Sequence, residues 1–116
     1  MDEIATMQAD VMRALANPRR LQIFHRLADG PVDVGTLAAE LGISQPNASQ
    51  HLAVMRTAGV VEVERIGREA RYRVSDPDVI TACGLMRAVL ERRIDRLAGL
   101  ASGTRLTPSE PVAAQR

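Results

Sequence analysis

The sequence predicts a mainly helical α+β domain, in which four helices precede a two-stranded β-hairpin and a fifth helix follows it. Apolar residues recur at steps of three and four over residues 4–58 and again over residues 79–97, which is the period of amphipathic helices. Between these stretches, apolar and charged residues alternate over residues 61–74, which indicates paired strands. Asn-Pro at 17–18 and Asp-Pro at 76–77 predict helix starts, because each pair places a capping side chain before a proline at the first helical position.

The first two helices are predicted to carry one apolar stripe each. The first covers residues 4–15, and the second begins at Pro18 and stops at residues 29–31, which read Asp-Gly-Pro. The apolar positions of the first are Ile4, Met7, Val11, Ala14 and Leu15, and the expected inward residues of the second are Leu21, Phe24 and Leu27.

The next two helices are typical of a helix-turn-helix. Asp33 caps a short third helix, Gly42 supplies the left-handed turn that ends it, and Ser44 caps a fourth helix that extends to about residues 58–59. Their expected inward residues are Val34, Leu37, Ala38 and Leu41, then Ala48, Leu52 and Met55.

The hairpin consists of strands at 61–64 and 70–74 joined by a turn at 66–69, and it carries an arginine-rich face and tip. A hairpin that directly follows a helix-turn-helix is a wing, so the predicted fold is a winged helix-turn-helix. The last helix runs from Pro77 to about Leu100. Its apolar stripe consists of Val79, Cys83, Met86, Leu90, Ile94 and Leu97.

Composition excludes several classes of protein. The 116 residues are about one domain's worth, and a single Cys with two His excludes an intrachain disulfide and a zinc finger. No Gly-rich phosphate loop or placed catalytic base accompanies that cysteine, which argues against an enzyme. No apolar run approaches the ~20 residues of a membrane helix, and the acidic N-terminus is unlike a signal peptide. We therefore expect a cytoplasmic protein with no membrane partner.

The start of the fourth helix has the chemistry of a DNA-reading surface. From Ser44 to Val54 it carries no charged residue apart from the protonatable His51. Side-chain amides such as those of Gln45, Asn47 and Gln50 can hydrogen-bond adenine edges in the major groove, and a helix start can hold a phosphate. The alternative is a helix-turn-helix used only for packing or for protein contacts.

The wing supports the DNA interpretation. All 15 basic residues of the chain are Arg, whose forked guanidinium grips phosphates and guanine edges. Arg68 occupies the tip and is predicted to reach the minor groove or the backbone. The other wing arginines, expected mostly to contact phosphates, are Arg65, Arg71 and Arg73. The alternative for each is an ion pair within the hairpin, with Glu62, Glu64 or Glu69.

Residues 11–100 resemble the ArsR/SmtB family of bacterial winged-helix repressors. The most specific parts are L-A-x-P-x-R-L-x-I at 15–23, ISQPNASQHL at 43–52, R-x-A-G-V-V at 56–61 and GREARY at 67–72. The resemblance implies a homodimer, built from the first and last helices, that binds an imperfect palindrome and leaves it when an effector binds. It also implies that the residues facing DNA are Ser44, Gln45, Asn47, Ser49 and Gln50. His51 is expected at the helix edge, with base contact as the alternative.

The dimer is also expected from the residues themselves. The first and last helices each carry a long apolar stripe that a small core can cover only in part, and such stripes usually meet a partner. A two-fold pair would place two fourth helices about 34 Å apart on one face of double-stranded DNA. We therefore expect residues 1–100 to form one DNA-binding and dimerisation domain and residues 101–116 to be a flexible tail.

The positions that bind metals in the family bear on the effector. The family's C-x-C metal pattern falls here on residues 32–34, Val-Asp-Val, and its last-helix pattern falls on Asp76, Asp78, Val89 and Arg92. Both patterns lack the thiolates or imidazoles that such metals need, so we expect no metal site and no cofactor. Cys83 is the candidate sensor, as a thiol near the dimer axis open to oxidation or alkylation; the alternative is a small buried residue.

Two functions follow as hypotheses. The first is a homodimeric, sequence-specific transcriptional regulator, most simply a repressor that occupies a palindromic operator. The second is a winged-helix module that binds another protein and not DNA. The wing arginines and the amide-bearing fourth helix favour the first.

Overall fold

The computed structural model describes residues 2–101, and within them it contains five helices and three strands. The elements are α1 (Glu3–Leu15), α2 (Pro18–Leu27), β1 (Val32–Asp33), α3 (Val34–Leu41), α4 (Gln45–Thr57), β2 (Val61–Ile66), β3 (Glu69–Val74) and α5 (Pro77–Ala101). The predicted winged helix-turn-helix, with five helices and a hairpin, is confirmed. Apart from Ala101, the predicted tail lies outside the described residues.

The side chains predicted to start helices do so. Asn17, Asp33, Ser44 and Asp76 each accept a backbone N–H from two or three residues ahead, at 2.9–3.1 Å. These bonds satisfy amides that have no carbonyl partner inside the helix. Each cap depends on one side chain and one nearby amide, which is why the sequence predicts it.

The turn between α3 and α4 is closed by a left-handed glycine. Gly42 has φ +68°, and its N–H points back to the carbonyls of the last turn of α3. The N–H of Ile43 donates to the Ala38 carbonyl at 3.0 Å, which completes a helix C-cap of the Schellman kind. The chain thereby leaves α3 and reaches Ser44, the cap of α4, two residues later.

The sheet has three antiparallel strands in the order β1-β3-β2. The predicted hairpin is β2 and β3, but the short strand β1 was not expected. Its two residues pair with β3 through Val32 opposite Tyr72 and Asp33 opposite Arg71. Two residues are too few for a period-two pattern, and their pairing arises from a contact distant in sequence.

The core lies among α2, α3, α4 and the adjoining ends of α1 and β2. Its buried residues are Ala14, Leu15, Ile23, Phe24, Leu27, Val32, Leu37, Ala38, Ala48, Leu52, Met55, Val60 and Val61. The expectation that Leu21 faces inward is wrong, because Leu21 is 36% exposed while Ile23 is 0% exposed. The inward face of α2 consists of Arg20, Ile23, Phe24 and Leu27. On this face the Arg20 guanidinium donates to the Ala14 carbonyl at the end of α1.

The chain divides into two units between Ile80 and Thr81. In the first, the apolar side chains of Ile4 and Met7 on α1 are exposed. Among the 25 residues of α5 none is buried. Its large exposed apolar side chains are Leu85, Met86, Val89, Leu90, Ile94, Leu97 and Leu100. No helix within residues 2–101 combines the length and the apolar character needed to cross a membrane.

Candidate nucleic-acid interface

Helix α4 presents a polar, exposed face opposite its buried face. Ala48, Leu52 and Met55 point into the core, and at 3.6 residues per turn the opposite side falls on Gln50. The exposed residues on that side are Pro46, Gln50, Ala53, Val54 and Thr57. The helix therefore offers solvent one amide flanked by small or uncharged groups.

The five positions predicted on α4 and its cap are all exposed: Ser44, Gln45, Asn47, Ser49 and Gln50. They do not share one direction. Gln50 lies at the centre of the exposed face, while Asn47 and Ser49 fall on its two flanks. Gln45 is turned toward α3, since its Oε1 lies 3.9 Å from where a Cβ on Gly35 would be.

The start of α4 retains few amides for an anion. Pro46 has no N–H, and the N–H of Asn47 donates to Ser44 Oγ at 3.1 Å. Two of the first three helical positions are thus closed to a ligand in this conformation. The Ser44 hydroxyl therefore serves primarily as the helix cap in this conformation, and a contact from this hydroxyl to a phosphate becomes a secondary role.

The wing ends in a tight turn. Residues 67–68 join β2 to β3, with Ile66 paired opposite Glu69. Gly67 has φ +65°, whereas no residue other than glycine has a positive φ within residues 2–101. A positive φ at only the first central position is the pattern of a type II′ turn, whose twist matches that of the strands. Arg68 therefore sits at the tip, exposed.

The four wing arginines have different surroundings. Arg73 pairs with Glu62 at 2.8 Å and lies 3.6 Å from Glu64, and Arg71 pairs with Glu69 at 3.1 Å. Arg71 and Arg73 therefore form ion pairs within the hairpin, which is the alternative stated for them above. Arg65 and Arg68 are exposed and have no carboxylate partner in the part of the chain that the structure describes.

The register also puts Arg65 on a different face from the ion pairs. Arg65 lies opposite Ala70, on the face that holds Val63 and Tyr72. The other face carries the charged residues that form the ion pairs. In the strand register Glu62 lies opposite Arg73 and Glu64 lies opposite Arg71. The wing thus has one face whose charges are compensated. Its tip and its other face carry guanidiniums that have no carboxylate partner among the described residues.

Several residues beside the predicted set were missed. Ala53 and Thr57 share the exposed face of α4 with Gln50, and the helical period could have found them. Arg19 and Arg20, in the first turn of α2, lie close enough to His51 for their charges to act on it. Burial, and then the charges of Arg20 and Arg19, lower the pKa of His51. No local pattern connects these two helices.

Cys83 is half-buried on α5, and burial raises the pKa of its thiol. The thiolate is the reactive form, so this environment disfavours reaction at neutral pH. Within residues 2–101 no group of three or more His, Cys, Asp and Glu side chains is arranged to hold a metal ion.

These elements define a winged helix-turn-helix, a class of DNA-binding domain. Residues 17–63 match the model of a family described as bacterial regulatory protein, arsR family. The chain is 35% identical over 96 residues to the HTH-type transcriptional regulator Rv0081 of Mycobacterium tuberculosis, an uncharacterized protein; the alignment covers 81% of this chain and 84% of that one. The chain belongs to the ArsR family of bacterial transcriptional regulators.

Two further likenesses bear on function. The chain is 41% identical over 76 residues to the biofilm growth-associated repressor of Agrobacterium fabrum, covering 66% of this chain and 65% of that one, just under two thirds of its length. The homodimeric winged helix-turn-helix DNA-binding domain of a possible ArsR-family regulator from Mycobacterium bovis superposes with a TM-score of 0.75 at 33% identity. That superposition covers 80% of this chain and 86% of the other.

Proposed function

We propose that the chain is a homodimeric repressor that binds a palindromic DNA operator through α4 and the wing, and that an effector releases it. The observation that carries this is the exposed, uncharged face of α4 centred on Gln50, which is followed directly by the wing. There Arg65 and Arg68 are exposed and have no carboxylate partner within residues 2–101. The relatives support it, since one is named a repressor and another is a homodimeric DNA-binding domain.

The proposed reading of sequence takes place in the major groove. An α-helix with its side chains is about 10–12 Å wide, and the groove is about 12 Å wide. Gln50 supplies a bidentate amide for an adenine edge, and the methyl groups of Ala53 and Thr57 can pack on thymine methyls. Asn47 and Ser49 on the flanks are then near the groove walls.

The proposed role of the wing is to hold the backbone or the adjacent minor groove. Arg68 at the tip and Arg65 beside it have guanidiniums ready to pair with phosphates, and a narrow minor groove attracts arginine. Arg71 and Arg73 would first have to exchange their glutamates for phosphates. We therefore assign the larger share of wing binding to Arg65 and Arg68.

The proposed dimer uses the apolar stripes of α1 and α5. Seven large apolar side chains of α5 are exposed, and a stripe of that size on a soluble protein marks an association surface. A two-fold pair presents two copies of α4 to successive turns of DNA, which accounts for a palindromic site. Bacterial DNA lies in the cytoplasm, so the proposed function places the protein there.

The proposed effector acts through a single residue, Cys83. Cys83 is the residue left for redox or sulfur chemistry, because the family's two metal patterns lack their usual ligands here. The departing positions are Val32, Val34, Asp78, Val89 and Arg92. If effector chemistry runs through this thiol, Cys83→Ser keeps DNA binding and loses the response. A Cys83→Ser protein that is released normally by its inducer would leave the cysteine a packing residue.

The decisive experiment is selection of bound duplexes from a random double-stranded library, followed by affinity measurements on the recovered site over a series of salt concentrations. We expect a palindromic consensus and a log-linear loss of affinity with salt. Gln50→Ala is expected to weaken the consensus by roughly 1–3 kcal/mol and to relax one base position, while leaving random DNA unaffected. Recovery of no consensus, with no salt-dependent binding, would instead favour the protein-binding module.

A further inference from the structure

The first turn of α2 and one flank of α4 form a cation-rich corner. Asn17 fixes this turn by accepting the N–H groups of Arg19 and Arg20 at 2.9 and 3.1 Å. Helix α2 packs against α4, and the charges of both arginines act on His51 of α4. All three side chains are half-buried, so part of each remains open to solvent.

No acidic group neutralises the corner. The Arg19 guanidinium donates to the amide oxygen of Gln22 at 2.8 Å, and that of Arg20 donates to the Ala14 carbonyl. Neither arginine has a carboxylate partner among residues 2–101. From Ser44 to Met55 the helix α4 has no acidic residue either. Two guanidiniums therefore stand beside His51 without a compensating charge.

The corner lies on the side of α4 where a DNA backbone would pass. Asn47 and His51 are one helical turn apart, so they share a flank, and α2 adjoins that flank. A helix about 10–12 Å wide that enters a groove about 12 Å wide has a row of phosphates along each flank. A cation beside the flank is thus within reach of the backbone when Gln50 faces the bases.

We propose that Arg19 and Arg20 of α2, together with His51 of α4, form a phosphate-binding corner that holds one backbone phosphodiester of the DNA bound by α4. This inference rests on the proposed function. Arg19 supplies the guanidinium that exchanges partners, since its present partner is the neutral amide of Gln22, which a phosphate can replace. Arg20 is held by α1 and supplies fixed charge. The corner and the wing then grip the duplex at two separate places.

His51 makes the contact measurable. In the free protein its pKa is lowered by burial and by the nearby Arg20 and Arg19. A phosphate seated between the two guanidiniums and His51 offsets that repulsion, and the pKa of His51 rises when DNA binds. DNA binding is therefore coupled to proton uptake at pH values between the pKa of His51 in the free protein and its higher pKa in the complex, and a variant that does not hold the phosphate loses this coupling.

The test compares Arg19→Gln, Arg19→Lys and the charge-matched control Arg92→Gln, which removes an exposed arginine of α5. Affinity for a selected duplex is measured over a salt series. Arg19→Gln is expected to lower affinity on consensus and random duplexes alike and to reduce the salt slope by about 1. Arg19→Lys keeps a phosphate-binding charge and stays close to the unmodified protein, as does Arg92→Gln.

The second readout is the pKa of His51 by NMR, with His51→Gln used to assign its signal, in the free protein, with duplex and with inorganic phosphate alone. A rise with duplex that Arg19→Gln reduces supports the corner. If the protein binds a duplex but Arg19→Gln matches Arg92→Gln in affinity and slope, the corner is overturned. A His51 shift with inorganic phosphate but none with duplex also overturns it, whereas failure to bind any duplex overturns the proposed function itself.

Discussion

Arg73 and Glu62 face each other across β3 and β2, and the Arg73 guanidinium donates to the Glu62 carboxylate at 2.8 Å. The same guanidinium lies 3.6 Å from Glu64, and Arg71 on the same strand pairs with Glu69. The wing therefore compensates two of its own arginines, whereas Arg65 and Arg68 have no carboxylate partner among the described residues, and the proposed contacts with DNA are assigned mainly to these two.

Arg68→Ala is expected to weaken binding of a consensus duplex and to reduce the salt slope by about 1, because it removes a guanidinium with no internal partner. Arg73→Ala is expected to change the slope less, because the Arg73 guanidinium is already engaged by Glu62 and Glu64 and is not assigned a phosphate contact. Fluorescence anisotropy over a salt series measures both. Equal effects of the two substitutions would mean that the ion pairs open when DNA binds.

Two substitutions of Ser44 distinguish its effect on stability from its effect on DNA binding. Ser44→Ala removes the bond from the Asn47 N–H and is expected to lower the free energy of unfolding by about 1 kcal/mol. Ser44→Asp keeps a capping oxygen and adds a negative charge that suits a helix start, so stability is expected to return. The same carboxylate repels the DNA backbone, and affinity is expected to fall. Urea denaturation and duplex titration of both variants check this; an aspartate variant that binds as well as serine would contradict it.

Leu90 tests the dimer. Leu90→Asp places a carboxylate in the exposed apolar stripe of α5, and covering that stripe would then desolvate a charge. Sedimentation equilibrium is expected to show a dimer for the unmodified chain and a monomer for the variant, with loss of affinity for the palindrome. Arg92→Gln, which changes charge on the same helix, is the control and stays dimeric. A dimeric Leu90→Asp protein would exclude this part of α5 from the interface.

The lowered pKa of His51 leads to a prediction of how the free energy of unfolding depends on pH. Its pKa is lowered in the folded state, so below the ordinary value of about 6.5 the unfolded chain binds the proton first. The free energy of unfolding is therefore expected to fall as pH drops through 6.5 toward the folded pKa, and to be level in this respect above about pH 7. Chemical denaturation between pH 5.5 and 7.5 measures this. His51→Gln is expected to lose that contribution, and an unchanged pH profile would count against the assignment.

Cys83 is expected to react slowly. Burial raises the pKa of its thiol, and alkylation proceeds through the thiolate. The rate with iodoacetamide at pH 8 is expected to be lower than for a cysteine in a short peptide, and to reach the peptide rate in denaturant. Alkylation faster than the peptide would point to an activated thiol and support a sensing role.

The helix starts were predictable because each depends on local chemistry. Asn17, Asp33 and Ser44 cap the helices that the sequence assigned to them, and Gly42 adopts the expected left-handed turn. The polar face of α4 follows from the helical period in the same way. These features need only one element and its neighbours along the chain.

What the sequence did not predict depends on contacts between distant elements. The strand β1 exists through its pairing with β3, and the partners of Arg71 and Arg73 depend on the register of the hairpin. The effect of Arg19 and Arg20 on His51 requires that α2 pack against α4. Leu21 was misplaced because two overlapping apolar periods run through α2, and packing selects one.

The absence of acidic and guanidinium groups between Ser44 and Met55 bears on how a target would be found. A duplex of arbitrary sequence would be held at its backbone by the peripheral arginines, which allows one-dimensional sliding. The stretch of α4 up to Met55, which has no such charges, would add little attraction to the backbone during this search. Helix α4 would bind only where the base pairs match its side chains. The peripheral arginines would therefore capture the DNA, and α4 would set how long the protein stays on its target.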